Sequence, residues 1–557
     1  MNKIFAINLT FFLVGCKAIQ FVGEPLVVNP STRAKTVPLT DDQKKQWYLL
    51  DLEKDSIPGT SVLRAYKQLL QNKYGEQIIV GIIDSGVDTS HSYLEDVIWV
   101  NKDEIESNGV DDDKNGFADD LHGWNFLGDS DKENMEYVRL MRITDPSTEE
   151  FSVYASVLNE DRSRVSSELP QISALLERIT SADSVLSKFL GIKDYSLQQA
   201  KNISPKSPAI IDAIRMKEFM IKANFKATDI EEYLDHLEVR MNFHFNIDFE
   251  GRSVVGDNTN NLQDRVYGNA NVLGPSLKSA EHGTHVAGII ARVCGLKNVF
   301  QGVSQNLELM IIRAVPDGDE YDKDVALAIR YAVDNGARVI NTSFGKDFSP
   351  HRDWVFDALR YAESKDVLIV NAAGNDNKNI DFGASPAFPT DQIEGVEFVN
   401  NFLTVGATGS VYSSNQVASF SNFGASGVDI FAPGSEIYST VPGEGYKYLN
   451  GTSMAAPNVA GIAAVLRSFF PKFSAATIKK IILDSGVPLF QEVIHPENKL
   501  LVSPNQLSKT GKMANLYNAL LLASKTKKNE KKLSPFIFLN DSKYSRFANL
   551  LATRSGL

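Results

Sequence analysis

Unbroken apolar runs, rather than simple alternation, mark the strands this chain predicts. Ile78-Ile79-Val80-Gly81-Ile82-Ile83 is continuous and rich in β-branched residues. Such a run predicts a strand buried on both faces, as in a parallel sheet. A second apolar stretch, Val459 to Phe470, follows a glycine- and alanine-rich block and reads as a buried helix. Residues 131–250 have a different pattern, with few glycines and no repeat. There Ile172, Leu175, Leu176 and Ile179 fall at helical i, i+3, i+4, i+7 spacing. Thr228 and Glu231 have capping-box spacing ahead of Ile230, Leu234 and Leu237. This segment is therefore expected to be helical.

The first residues form a separate unit. Lys3 precedes an apolar stretch from Ile4 to Val14, too short to span a bilayer but suited to the core of a secretory signal. It runs into Leu13-Val14-Gly15-Cys16, which resembles the lipobox of bacterial lipoproteins. That resemblance implies cleavage before Cys16 and lipid attachment to its thiol. Residues 1–15 are then a signal peptide, and 16–45, with Pro, Ser, Thr and Asp but no periodicity, a tether. The expected address is a bacterial cell envelope, lipid-anchored at Cys16 on the outer membrane or cell surface. The other cysteine, Cys294, would then have no intrachain partner and is expected to be buried.

Length and composition narrow the function classes. A chain of 557 residues has room for roughly three or four domains. With 43% hydrophobic and 23% charged residues it can bury a large core, which excludes a wholly disordered or fibrous protein. The net charge of −12, without a basic stripe, argues against nucleic acid as a partner. No run of 18 apolar residues predicts a transmembrane helix.

Three blocks carry candidate chemistry. The strand at 78–83 ends in Asp84-Ser85-Gly86, which places a carboxylate where open α/β sheets build their sites. His282-Gly283-Thr284-His285 has small residues that let a helix start against another backbone. The absence of an HExxH arrangement argues against metal there. Asn450-Gly451-Thr452-Ser453 would put Ser453 at or near a helix amino terminus, where a developing anion is favoured. Singly these read as a turn, a buried histidine and an N-cap.

Together, in the order Asp84, His282, Ser453, they resemble the subtilisin-like serine peptidases, the subtilases, whose triad follows this chain order. Val339-Ile340-Asn341-Thr342-Ser343-Phe344-Gly345 looks like the family's substrate-binding strand. Val370-Asn371-Ala372-Ala373-Gly374-Asn375 looks like the strand ending in the oxyanion-hole asparagine. Val405-Gly406-Ala407 and Phe431-Ala432-Pro433-Gly434 match later landmarks. The resemblance covers about 46–125 and 251–525.

It implies an α/β, three-layer subtilisin-like fold around a mostly parallel sheet, with 131–250 a helical insertion in a 46–525 peptidase domain and 526–557 a tail. It implies a serine endopeptidase using Asp84, His282, Ser453 and Asn375, with no cofactor for catalysis. Substrate polypeptide would be bound by Ser343, Phe344, Gly345, Ala373 and Gly374, with broad, apolar preference. Asn515 to Lys525 looks like the closing helix. A long inhibitory propeptide, common in secreted members, has no room in 17–45. The alternatives are a non-catalytic or self-processing peptide-binding lipoprotein. The insertion is expected to act as a cap over the cleft or as a packing surface away from it.

Asp111-Asp112-Asp113-Lys114-Asn115-Gly116 opens like a calcium-binding EF-hand loop, but position twelve is His122 rather than Glu. A true EF-hand is therefore not expected. A different structural calcium site on Asp111, Asp113, Asn115 and Asp119 is the expectation, which the habits of the family strengthen by analogy.

Overall fold

The computed structural model describes residues 20–28, 37–204, 206–223, 225–295, 307–385 and 387–526. The expected signal peptide, the lipidation residue Cys16 and nearly all of the tail lie outside the described residues.

The strands of the main sheet, in chain order, are β1 (Ile78–Asp84), β2 (Gly123–Asn125), β3 (Leu307–Arg313), β4 (Val339–Thr342), β5 (Leu368–Ala372), β6 (Phe402–Thr408) and β7 (Ile430–Pro433). A hairpin, β8 (Ile437–Val441) and β9 (Gly445–Leu449), stands apart. Then come β10 (Val487–Pro488) and β11 (Lys512–Met513). The nine-stranded sheet runs β10-β11-β7-β6-β5-β4-β1-β3-β2. Every pairing in it is parallel except β10 with β11.

Helices cover both faces, which is why the strands read as continuous apolar runs. The helices used below are α1 (Glu136–Ile143), α2 (Glu149–Leu190), α3 (Pro208–Ala223), α4 (Ala227–Val239), α5 (Glu281–Val293), α6 (Asp322–Asp334), α7 (Arg352–Ser364), α8 (Thr452–Phe469), α9 (Ala475–Ser485) and α10 (Leu516–Lys525). Side chains alternate across each strand. Leu309 and Ile311 of β3 pack with Val286 and Ile290 of α5 and Val459 of α8. Met310 and Ile312 pack with Ile329 of α6 and Leu359 of α7 on the opposite face. The result is the expected three-layer α/β architecture.

The 131–250 segment is helical, and Ile179 and Leu237 of its expected apolar faces are buried. Its α4 starts earlier than the capping-box spacing suggested. Asp229, rather than Glu231, reaches back to the backbone N–H of Lys226 (2.8 Å), so the helix begins at Ala227. The tether expectation also needs correction. Phe21 and Leu26 are buried, with Phe21 edge-on to Phe469 and Phe470. Asn518 of α10 pairs with the backbone of Leu26 in both directions (2.8 and 3.3 Å). The buried Phe21 and Leu26 and the Asn518 hydrogen bonds fasten residues 20–28 to the domain. Cys294 is buried as expected, and burial pushes its thiol up to about 12. No helix among the described residues is long and apolar enough to cross a membrane.

Candidate active site

β1 ends at Asp84, level with the ends of β3 at Arg313 and of β4 at Thr342, so the carboxylate sits at the carboxyl edge of the sheet. Asp84 is buried, and its Oδ1 accepts from Ser85 N (2.8 Å) and from His282 Nδ1 (2.7 Å). His282 lies in the first turn of α5. That helix can approach because residue 283 is glycine. A Cβ there would sit 2.1 Å from the Gly86 carbonyl oxygen. Burial works against a charged His282 ring, but the Asp84 charge and hydrogen bond, helped by Glu281, outweigh it and raise its pKa. His285, one turn on, is a core residue. Its Nε2 meets the Lys447 carbonyl (3.1 Å), and burial lowers its pKa to about 4, so it stays neutral.

Ser453 is the second residue of α8 and not its N-cap, which is Gly451. Two hydrogen bonds tie it to the end of β4. Its hydroxyl donates to the Ser343 carbonyl (3.0 Å), and the Ser343 hydroxyl donates to the Ser453 carbonyl (2.9 Å). Asn375 leaves the end of β5. Its Oδ1 accepts from Thr452 N (2.8 Å) and Thr452 Oγ1 (3.0 Å), so the amide Nδ2 is the end turned away from this anchor. A Cβ built on Gly451 would lie 3.5 Å from both Asn375 Nδ2 and Ser453 N. Two N–H donors thus flank one small space that Gly451 leaves open. An anion there would also face the positive end of α8.

Residues 343–345 extend β4 past Asp84. Ser343 and Phe344 are buried and Gly345 is exposed. Ala373 and Gly374 follow β5, where Asn422 holds both carbonyls, by Nδ2 to Ala373 O (3.0 Å) and N to Gly374 O (2.9 Å). The structure therefore gathers Asp84, His282, Ser453, Asn375 and the two predicted substrate segments at one edge of the sheet.

The acidic loop is assembled differently from its sequence pattern. Carboxylate oxygens of Glu104, Asp111 and Asp113 converge within 4.8 Å of one another. Glu104, absent from the expectation, lies outside the D-x-D-x-N-G motif and carried no signal of its own. Asn115 turns its amide nitrogen toward Asp113 Oδ2 (3.0 Å) and uses its oxygen on Phe117 N (2.8 Å). Asp119 faces away, accepting from Asn108 N and Gly109 N (2.9 Å each). An Asx turn captures the Asn115 oxygen, and the loop backbone at Asn108 and Gly109 captures the Asp119 carboxylate.

A model of the subtilase family matches residues 75–512. The chain is 42% identical over 188 residues to the thermophilic serine proteinase of Bacillus sp. (strain AK1), a match covering 34% of this chain and 42% of that protein. It is 36% identical over 210 residues to subtilisin BL of Lederbergia lenta, covering 37% of this chain and 71% of the relative. A solved structure of a cold-adapted subtilisin-like serine proteinase matches at 30% identity, covering 43% of this chain and 74% of the other, with a TM-score of 0.32. The chain thus spans less than half the length of the first of these relatives and just over two thirds of the second.

Proposed function

Because the chain belongs to the subtilase family, we propose that it is a serine endopeptidase cleaving polypeptides through an Asp84–His282–Ser453 triad and an acyl-enzyme intermediate. The observation that carries this reading is the convergence of the Asp84–His282 hydrogen bond, the Ser453 hydroxyl and the two donors beside Gly451 at one sheet edge.

An unassisted serine hydroxyl is a weak nucleophile. Here it spends its proton on the Ser343 carbonyl. An extended substrate pairing with residues 343–345 would claim that carbonyl with its own N–H and free the hydroxyl for His282 Nε2. His282 takes the proton as Ser453 Oγ attacks, then returns it to the leaving amine. Asp84 fixes the ring through Nδ1, leaving Nε2 as the basic atom, and stabilises the cation that forms. Asn375 Nδ2 and Ser453 N receive the oxyanion. Backbone pairing at 343–345 and the small Ala373-Gly374 edge support broad cleavage with an apolar preference.

Lipidation at Cys16 would hold the enzyme at the outer membrane or surface of a bacterial envelope. The lipobox-like Leu13-Val14-Gly15-Cys16 behind an apolar signal core supports this. Fatty-acid labelling of the cell-expressed protein, lost in Cys16→Ser, tests it. A structural calcium ion on Glu104, Asp111 and Asp113 is the third part of the proposal. Three clustered carboxylates supply the hard oxygen ligands that calcium takes.

The deciding experiment compares casein cleavage and fluorophosphonate labelling of wild type and Ser453→Ala. Both signals should vanish in the variant, with turnover falling on the order of 10⁶-fold, the loss known for subtilisin. A folded wild type that neither cleaves nor labels would refute the proposal.

A further inference from the structure

Beyond Asp84 the sheet has a gap one strand wide. β1 ends in register with Arg313 of β3, and Ile83 pairs with Thr342 of β4. Both neighbours run on, one bank through Asp317 to Glu320 and the other through Ser343 to Lys346. The banks stand about two strand spacings apart, roughly 10 Å, which is room for one extended chain. Ser453 marks the catalytic end of this slot through its hydrogen bonds to Ser343.

The opposite end is crossed by buried charge. The Lys346 ammonium reaches from its own bank to the Glu320 carbonyl on the other (2.7 Å). It is held by Glu136 of α1 (2.7 Å) and Asp322 of α6 (2.9 Å). Arg139, also of α1, donates to the carbonyls of Asn134 (3.1 Å), Asp319 (2.7 Å) and Glu320 (3.1 Å) and pairs with Glu136 (2.5 Å). Residues leading into α1 pair with the outer side of the first bank, Glu133 N donating to Asp317 O and Asp319 N to Asn134 O. On the other bank, Tyr137 of α1 and Tyr154 of α2 pack edge-on to Phe348 (6.2 and 5.3 Å between centroids). Lys346, Glu136, Arg139 and Glu320 are all more than nine-tenths buried. The Lys346, Glu136 and Arg139 charges, desolvated and paired as they are, do not swing aside at small cost.

Resting on the serine peptidase reading above, we propose that α1, α2 and Lys346 wall off the upstream end of the slot, so that it seats three substrate residues before the scissile bond. The count follows from spacing. Ser343 to Lys346 is three residues, about 10 Å of extended chain. A fourth residue meets the wall and must turn out of the slot. The substrates favoured are chains cut three residues from their amino terminus and flexible segments able to bend sharply there.

The test is a series of peptide anilides with two, three, four and five residues on the acyl side. Wild-type kcat/KM should rise from two to three residues and then stay within about two-fold. In Lys346→Met/Glu136→Gln, which removes both charges of the pair, the four-to-three ratio should rise by the roughly five-fold that one further backbone hydrogen bond supplies. Each ratio is taken within one protein, so a partly damaged variant still reports. The wild-type series decides alone if the variant does not fold. Binding of fluorescent peptides of the same lengths to Ser453→Ala repeats the measurement without turnover. It separates a wrong groove from a wrong reaction. A wild-type gain of five-fold or more at the fourth residue, in rate or in binding, would overturn the wall.

Discussion

Replacing Gly451 with alanine tests the proposed oxyanion site directly. The added methyl would lie 3.5 Å from Asn375 Nδ2, 3.5 Å from Ser453 N and 3.6 Å from Met454 Sδ. These are ordinary contacts, so packing tolerates the methyl. The cost to the fold is backbone conformation, φ +157° at this residue, on the order of 1–3 kcal/mol. That lowers the melting temperature by a few degrees in a domain of this size. Activity should suffer far more. A donor must come within about 2.7–3.1 Å of the oxyanion, and the methyl occupies the ground both donors face. Losing one such asparagine donor in subtilisin costs about 10²–10³-fold, or roughly 2.7–4 kcal/mol. Blocking two shared donors should therefore lower kcat/KM by about 10³–10⁵-fold. Asn375→Ala alone should lose about 10²–10³-fold. The double variant should lose little beyond Gly451→Ala, because the methyl has already denied Asn375 its partner. The assay is kcat/KM on a peptide anilide beside a thermal melt of each variant. A folded Gly451→Ala enzyme within ten-fold of wild type would refute the site.

Further outcomes follow from the same geometry. His282 must be neutral to accept the serine proton and its pKa is raised, so the acidic limb of kcat/KM should have its midpoint above the ordinary histidine value of about 6.5. Asp84→Asn removes the chief raising influence. The limb should move to lower pH while the rate falls about 10⁴-fold, as in other triads, and an unmoved limb would count against the pairing. Chelation should lower the melting temperature, by about 2–4 kcal/mol of lost binding at saturating calcium, and Asp113→Ala should abolish that response. Asp391 is buried and its pKa is pushed up to about 7, first by burial and then by Asp429 and Glu397, against the nearby Lys479 (3.6 Å). The folded state then keeps a proton that the unfolded chain loses above about pH 4. The contribution of Asp391 to stability should fall as pH rises from 4 to 7. Asp391→Asn should flatten that slope in melts across the range.

Much of the molecule was legible because its signals are local. β1 showed as an apolar run ending in Asp84, since a strand covered on both faces has no polar positions to spare. The blocks around His282, Ser453 and Asn375 stood out because close backbone approach demands small residues, as the 2.1 Å contact at Gly283 makes plain. Helix in 131–250 was readable from the spacing of Ile172, Leu175, Leu176 and Ile179. Other features depended on partners far along the chain. Phe21 and Leu26 looked like tether until Phe469 and Asn518 met them. Glu104 joined Asp111 and Asp113, while Asp119 was drawn to Asn108 and Gly109. Neither outcome follows from the spacing within the D-x-D-x-N-G motif. Lys346 sits beside a recognisable substrate strand, yet its meaning comes from Glu136, 210 positions away.

The sequence by itself determined β1, the helical character of 131–250 and the residue types at the catalytic edge, because periodicity and glycine placement act within a few residues. Only the tertiary structure decided which buried charges pair and which bank of the cleft the inserted helices touch. Ion pairing and desolvation depend on distance in space, which separation along the chain does not encode.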